Sequence, residues 1–93
     1  MITKEQVEEA RTELKQQYLQ YYKDNFGIDI GTVVICRDEL VLYGRECIVS
    51  RIETDLSYLP SSPRFFAKPR NKDGQWSKVE LSFFSQETWE LKR

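Results

Sequence analysis

The chain has 93 residues, a formal net charge of −1, and 31% charged side chains. This length allows one domain with a single modest core, and its twelve aromatic residues argue against intrinsic disorder. The sequence has no long apolar run and no apolar segment behind a basic start, so we expect a cytoplasmic protein without membrane association.

The sequence offers only poor candidates for common catalytic chemistry. The sequence contains no histidine, which removes the usual general base, imidazole-based triads and mixed zinc sites. Cys36 and Cys47 have no secretory context, so we expect buried free thiols. Asp38 and Glu39 are candidates to meet Arg45 at a strand end, but three charged residues at a turn are far more often solvated than catalytic. We therefore expect no enzyme activity, no cofactor and no metal site.

The N-terminal segment predicts an amphipathic helix over residues 4–25. Thr3 and Gln6 fit a capping box, and Gly27 can take the left-handed conformation that ends a helix. Apolar residues recur at steps of three and four, at Val7, Ala10, Leu14, Tyr18 and Tyr21. The tyrosine-rich end has two interpretations: its rings cover the open side of a barrel, or their surplus forms an interface. The protein is accordingly a monomer or a homodimer through the helix.

The pattern becomes extended after Gly31. Runs rich in β-branched residues at 32–37 and 46–54 predict two strands, separated by a turn at Tyr43 and Gly44. Prolines and serines in residues 55–63 indicate an exposed loop. A hairpin, a tight turn and a last strand over residues 89–92 follow. The sequence therefore predicts an α+β fold, with a helix before a five-stranded antiparallel small barrel over residues 31–92.

Three short segments carry a family resemblance. They are Gly31-Thr-Val-Val-Ile-Cys, the run from Tyr43-Gly-Arg to Ser-Arg-Ile at residue 52, and Lys-Asp-Gly at 72–74. Their order resembles SH3-like barrels of the KOW and Tudor type over roughly residues 27–92. With the terminal Trp-Glu, the arrangement is also similar to small phage and mobile-element proteins. The resemblance implies an SH3-like barrel and no particular activity.

Residues 64–83 predict a β-hairpin whose two faces differ. Residues 71–74 fit a type I turn with glycine in the left-handed position, which pairs Asn71 with Gln75. Counting outward by twos places two pairs in the core, Ala67 opposite Val79 and Phe65 opposite Leu81. It places three pairs outside, Arg70 opposite Trp76, Lys68 opposite Lys78, and Phe66 opposite Glu80. The wider core prediction adds Val33, Ile35, Val49, Ile52, Leu14 and Tyr18.

The outer face of this hairpin is the candidate binding site, comprising Phe66, Lys68, Arg70, Trp76 and Lys78. Aromatic rings offer stacking surfaces, and the cations suit phosphates or acidic side chains. Residues 64–93 carry a net charge of +3, against −2 each for residues 1–31 and 32–63. A structural interpretation stands beside this one: Trp76 packs on Arg70, the helix or a loop covers Phe66, and the lysines protect a sheet edge.

These features favour a non-enzymatic binding module. Our first hypothesis is a protein-interaction or inhibitor protein of phage or mobile-element type, because the surface carries mixed charge and the sequence resembles mobile-element proteins. Acidic residues on the helix offer a surface for a basic groove, although a solvated face also explains them: Glu5, Glu8, Glu9 and Glu13. The alternative is a nucleic-acid-binding small barrel that uses the hairpin face.

Overall fold

The computed structural model describes residues 1–40, 42–54 and 62–92. One helix, α1 (Lys4–Phe26), precedes five short strands: β1 (Val33–Cys36), β2 (Glu46–Ile52), β3 (Phe65–Pro69), β4 (Leu81–Phe83) and β5 (Trp89–Leu91). A 3₁₀ turn, Gln86–Thr88, joins β4 to β5. The strands pair antiparallel in the order β4-β3-β2-β1-β5 and curl into a half-barrel. The predicted α+β class is confirmed.

Helix α1 begins and ends where local signals predict. The Thr3 hydroxyl accepts from the Gln6 N–H at 3.2 Å, and the Gln6 side-chain oxygen accepts from the Thr3 N–H at 2.9 Å. Gly27 has a φ of 71°, and its N–H donates to the carbonyl one turn earlier at 3.1 Å. Ile28 then turns into the core and is fully buried. These contacts make both ends of the helix local features of the sequence.

The core lies between the concave face of the sheet and the C-terminal half of α1. Phe65 is at its centre, because its ring stacks on Phe83 at 5.2 Å and meets the edge of Trp89 at 5.3 Å. Tyr18 and Tyr22 bring the helix into the same cluster. The predicted burial of Tyr18, Val49, Ile52, Phe65 and Ala67 is confirmed.

The side-chain alternation predicted for β1 was wrong by one residue. Val34 and Cys36 are fully buried, while Val33 and Ile35 are half-buried on the outer side. The run is apolar throughout, so its own alternation does not say which side faces inward. Pairing with β2 decides it, because Val34 lies opposite the buried Cys47. Both thiols are free and buried, as expected.

The hairpin register was correct at the turn and wrong beyond it. Asn71 N–H donates to Gln75 O at 2.6 Å, and Arg70 pairs with Trp76 as predicted. The chain then accommodates two extra residues within residues 77–80. As a result, β3 and β4 pair Ala67 with Leu81 instead of with Val79. The same shift places Phe66 opposite Ser82 and Phe65 opposite Phe83, instead of Glu80 and Leu81.

This irregularity also overturns the predicted burial of Val79 and the pairing of Lys68 with Lys78. Val79 lies in a bend and is 67% exposed, and Leu81 is partly buried against the core. Because the shift is an even number of residues, inward residues of β3 still lie opposite inward residues of β4, as Phe65 does opposite Phe83, and Phe66 remains on the outer side.

Two other side chains differ from expectation. Leu14 is 50% exposed because α1 extends beyond the sheet at that point. Pro63 is fully buried, since a hydrogen bond of 2.9 Å from Glu53 N–H to Arg64 O holds the adjacent chain on the sheet. The rest of the predicted loop, residues 55–61, lies outside the described residues. Within the described part of the chain, no helix is long and apolar enough to cross a membrane.

Candidate binding surface

Strand β3 places three of the five predicted site residues on one side of the sheet. Its inward side chains are all buried, at Phe65, Ala67 and Pro69. The alternate positions, Phe66, Lys68 and the following Arg70, therefore share the outer face. We call the side of the sheet that carries Phe66, Lys68 and Arg70 the outer face of the half-barrel. The alternation within β3 was predictable, and it does not depend on the two-residue shift of β4.

Arg70 is held by three neighbours at the neck of the hairpin. Its guanidinium carbon lies 5.6 Å from the centre of the Trp76 ring. Its Nε donates to Gly74 O at 3.2 Å, and its Nη1 lies 3.3 Å from a carboxylate oxygen of Glu46. The structural interpretation of Trp76 as a packing partner of Arg70 is therefore realised. The guanidinium is already engaged before any ligand arrives.

Glu46 joins two cations across the outer face. Lys92 Nζ lies 2.8 Å from one carboxylate oxygen, and Arg70 binds the other. The hydrogen bond from Lys92, with a further contribution from Arg70, lowers the pKa of Glu46 below its ordinary value. Glu46 is therefore a carboxylate at neutral pH, and it places negative charge among the cations of the predicted site.

A second carboxylate, that of Glu80, lies across β3 from Glu46. Arg51 is opposite Phe66 in the ladder, and its guanidinium carbon lies 4.2 Å from the centre of the Phe66 ring. Arg51 also lies 3.3 Å from a carboxylate oxygen of Glu80. Ser50 donates a hydrogen bond to the same carboxylate. Phe66 is thus covered by an arginine that a glutamate holds in place.

The two predicted lysines differ from these arginines. Lys68 is half-buried, lies opposite Ile48, and has no ion pair among the described residues. It cannot protect a sheet edge, because β3 is an interior strand between β2 and β4. Lys78 is exposed in the bend before β4 and is not part of the ladder. Lys68 therefore lies on the outer face, whereas Lys78 does not lie opposite it as predicted.

The residues missed by the sequence argument come mainly from β2. Glu46 and Arg51 both reach the outer face, although their spacing of five would place them on opposite sides of a regular strand. The register between β2 and β3 shifts between Val49 and Arg51, and this irregularity brings Arg51 to the outer side. The charged residues of β2 were visible in the sequence, but their partners depend on pairing between distant segments.

The buried thiol of Cys47 is a poor nucleophile. Burial, with the neighbouring Cys36, raises the pKa of Cys47 to about 11. The thiol therefore stays protonated at neutral pH, and only the thiolate is a strong nucleophile. These side chains contribute to the core and leave the outer face as the better candidate for function.

Comparison with known proteins adds no family to this description. A scan against protein-family models, a search of curated proteins and a search of solved structures each found no match.

Proposed function

We propose that this chain is a non-enzymatic protein-interaction module whose outer face binds a protein partner. The observation that carries the proposal is the placement of Glu46 and Glu80 among the cations of that face. Each carboxylate neutralises arginine charge at a position where a nucleic-acid site requires free cations. The result is a face of mixed charge with two aromatic rings.

Nucleic-acid affinity depends on cations that are free to neutralise phosphates. Arg51 and Arg70 are both in ion pairs, and a phosphate near either meets a carboxylate at the same place. Protein interfaces, in contrast, are enriched in arginine and tryptophan and tolerate mixed charge at their rims. The exposed portions of Phe66 and Trp76, each beside an arginine, fit this second pattern.

We also propose that the half-barrel is an SH3-like small barrel. The sheet order supports this: the first four strands pair in succession, and β5 returns to pair with β1 after a short 3₁₀ turn. The sequence resemblance to small phage and mobile-element proteins supports an inhibitor or recruiting role. Such a protein acts by occupying a surface of another protein, which requires no catalytic group.

Affinity capture with nuclease treatment tests the proposal. We expect the immobilised protein to retain a stoichiometric protein partner from a lysate of its own cells after nucleic acids are digested. Retention that disappears on digestion would move the assignment to the alternative, a nucleic-acid-binding barrel that uses Phe66, Lys68, Arg70, Trp76 and Lys78. Retention of no stoichiometric partner would contradict protein binding.

A further inference from the structure

Four side chains form a row across the outer face, from one strand to the next. Val33 lies opposite Ile48, and Ile48 lies opposite Lys68. At the other end, Lys92 N–H donates to Val33 O at 3.1 Å, which places Lys92 beside Val33. Val33 and Ile48 are half-buried and alternate with buried residues of their strands. This set, which we call the central row, is therefore apolar in the middle and has a lysine at each end.

The Lys92 end of the central row has a cation in excess. Glu46 binds both Lys92 and Arg70, at 2.8 and 3.3 Å, so one carboxylate faces two cations. Another carboxylate of this region, Glu90, is held by Arg37. A lysine ammonium has three donors, so Lys92 is able to bind a further carboxylate without releasing Glu46. This end of the row therefore suits an added negative charge.

The Lys68 end has a cation in excess as well. Glu80 lies 3.3 Å from Arg51 and also accepts a hydrogen bond from Ser50. Lys68 has no ion pair within the part of the chain that the structure describes, and it is half-buried opposite Ile48. A lysine in such a place keeps its stem on apolar surface and its ammonium in solvent. Each end of the central row thus offers a cation for an incoming carboxylate.

The distance between the two lysines matches an extended peptide. Lys68 follows β3 and Lys92 follows β5, which are three strand intervals apart in the sheet, so their backbones lie about 14 Å apart along it. An extended chain rises about 3.3 Å per residue and its alternate side chains point the same way. Residues i and i+4 of such a chain therefore lie about 13 Å apart on one side. The side chain at i+2 lies midway between them, above Val33 and Ile48.

We propose that the central row binds an extended acidic segment of the partner protein. In this segment, carboxylates at positions i and i+4 contact Lys68 and Lys92, and an apolar side chain at i+2 packs on Val33 and Ile48. The inference rests on the proposed function, because it names the chemistry of the partner that the outer face binds. A basic segment would meet the excess positive charge at both ends of the row. A nucleic acid would place no apolar side chain on its middle.

Selection from random peptides displayed on phage, with the purified protein as bait, tests the chemistry of the segment. We expect the wild type to enrich peptides with the pattern acidic, any, apolar, any, acidic. Lys68→Glu should lose these peptides. Lys72→Glu makes the same charge change at the exposed hairpin turn and should retain them. Enrichment of basic peptides, no reproducible enrichment, or equal enrichment by Lys68→Glu would overturn the proposal.

Affinities measured by fluorescence anisotropy with the most enriched peptide separate the two kinds of contact from misfolding. Lys68→Gln, which removes the charge without reversing it, should weaken binding about tenfold while the circular dichroism spectrum stays unchanged. Val33→Thr keeps the shape of the side chain and should weaken binding about threefold, but not when the apolar residue of the peptide is replaced by serine. Full affinity of Lys68→Gln for this peptide would contradict the proposed contact.

These experiments and the capture of a partner from a lysate fail independently. Capture does not depend on the charge of the partner. A captured protein, together with selected peptides that lack acidic residues, would contradict the acidic segment and leave protein binding intact. Absence of a captured protein would instead contradict the proposed function.

Discussion

Arg70 and Trp76 lie opposite each other where the hairpin narrows to its turn, with the guanidinium carbon 5.6 Å from the centre of the ring. The same guanidinium binds the Gly74 carbonyl and the Glu46 carboxylate. One side chain thus connects the turn, the second hairpin strand and β2. This connection makes Arg70 a structural residue as well as a candidate for ligand contact.

Trp76→Ala should lower the free energy of unfolding by about 1 to 2 kcal/mol, because it removes a cation–aromatic contact and part of a half-buried ring. Urea denaturation followed by circular dichroism measures the change. Gln75→Ala, an adjacent exposed position, is the control and should change stability little. A loss of stability equal to that of the control would show that the ring does not pack on Arg70.

Glu46→Gln should make the folding stability of the protein less dependent on pH in the acid range. Because Lys92 and Arg70 lower the pKa of Glu46 below its ordinary value of 4.5, the carboxylate stabilises the fold above that pH. This contribution is lost as the pH falls through the lower folded-state value. Denaturation midpoints measured between pH 7 and pH 3 check the prediction. Glu87→Gln, at an exposed carboxylate, is the control; identical profiles for the two variants would contradict the role of Glu46.

Removing both carboxylates from the outer face should create nucleic-acid affinity that the natural protein lacks. Glu46→Gln with Glu80→Gln releases Arg51, Arg70 and Lys92 from their ion pairs. Fluorescence anisotropy with a mixed-sequence oligonucleotide at low salt should show salt-sensitive binding by the double variant and none by the wild type. Tight binding by the wild type would mean that the carboxylates do not prevent phosphate contact.

Features set by neighbouring residues were predictable from the sequence. The capping box of Thr3 and Gln6, the left-handed Gly27 and the turn that pairs Asn71 with Gln75 all depend on contacts within a few positions. The fold class followed from these elements and from the strand patterns between them. Such signals predicted where elements begin and end, and which residues the hairpin turn brings together.

Features set by distant pairing were not predictable in the same way. The inward side of β1 depends on Cys47 of β2, because Val33 to Cys36 are apolar throughout. The two added residues before Leu81 carry no glycine or proline to mark them. The candidate site followed the same division. The outward residues of β3 and the presence of Glu80 on the same face were predicted, while Glu46, Arg51 and the ion pairs that change the chemistry of the face were not.

Gly27→Ala should destabilise the protein more than Gly31→Ala. Both glycines have positive φ, at 71° and 89°, so alanine at either position costs about 1 to 2 kcal/mol. A Cβ at Gly27 would also lie 2.9 Å from Leu91 Cδ1, whereas one at Gly31 has nothing within 4 Å. Thermal unfolding of the two variants checks the difference. Equal losses would show that β5 does not pack closely against the end of α1.

The most direct test of the proposed function compares capture by variants of the outer face. Lys68→Glu reverses a charge on that face without breaking an ion pair among the described residues, and Lys72→Glu makes the same change at the exposed hairpin turn. With nuclease-treated lysate, quantitative mass spectrometry should find one stoichiometric protein retained by the wild type and Lys72→Glu, and strongly reduced with Lys68→Glu. Equal retention by all three, or retention of no stoichiometric protein, would contradict the assignment of the outer face as a protein-binding surface.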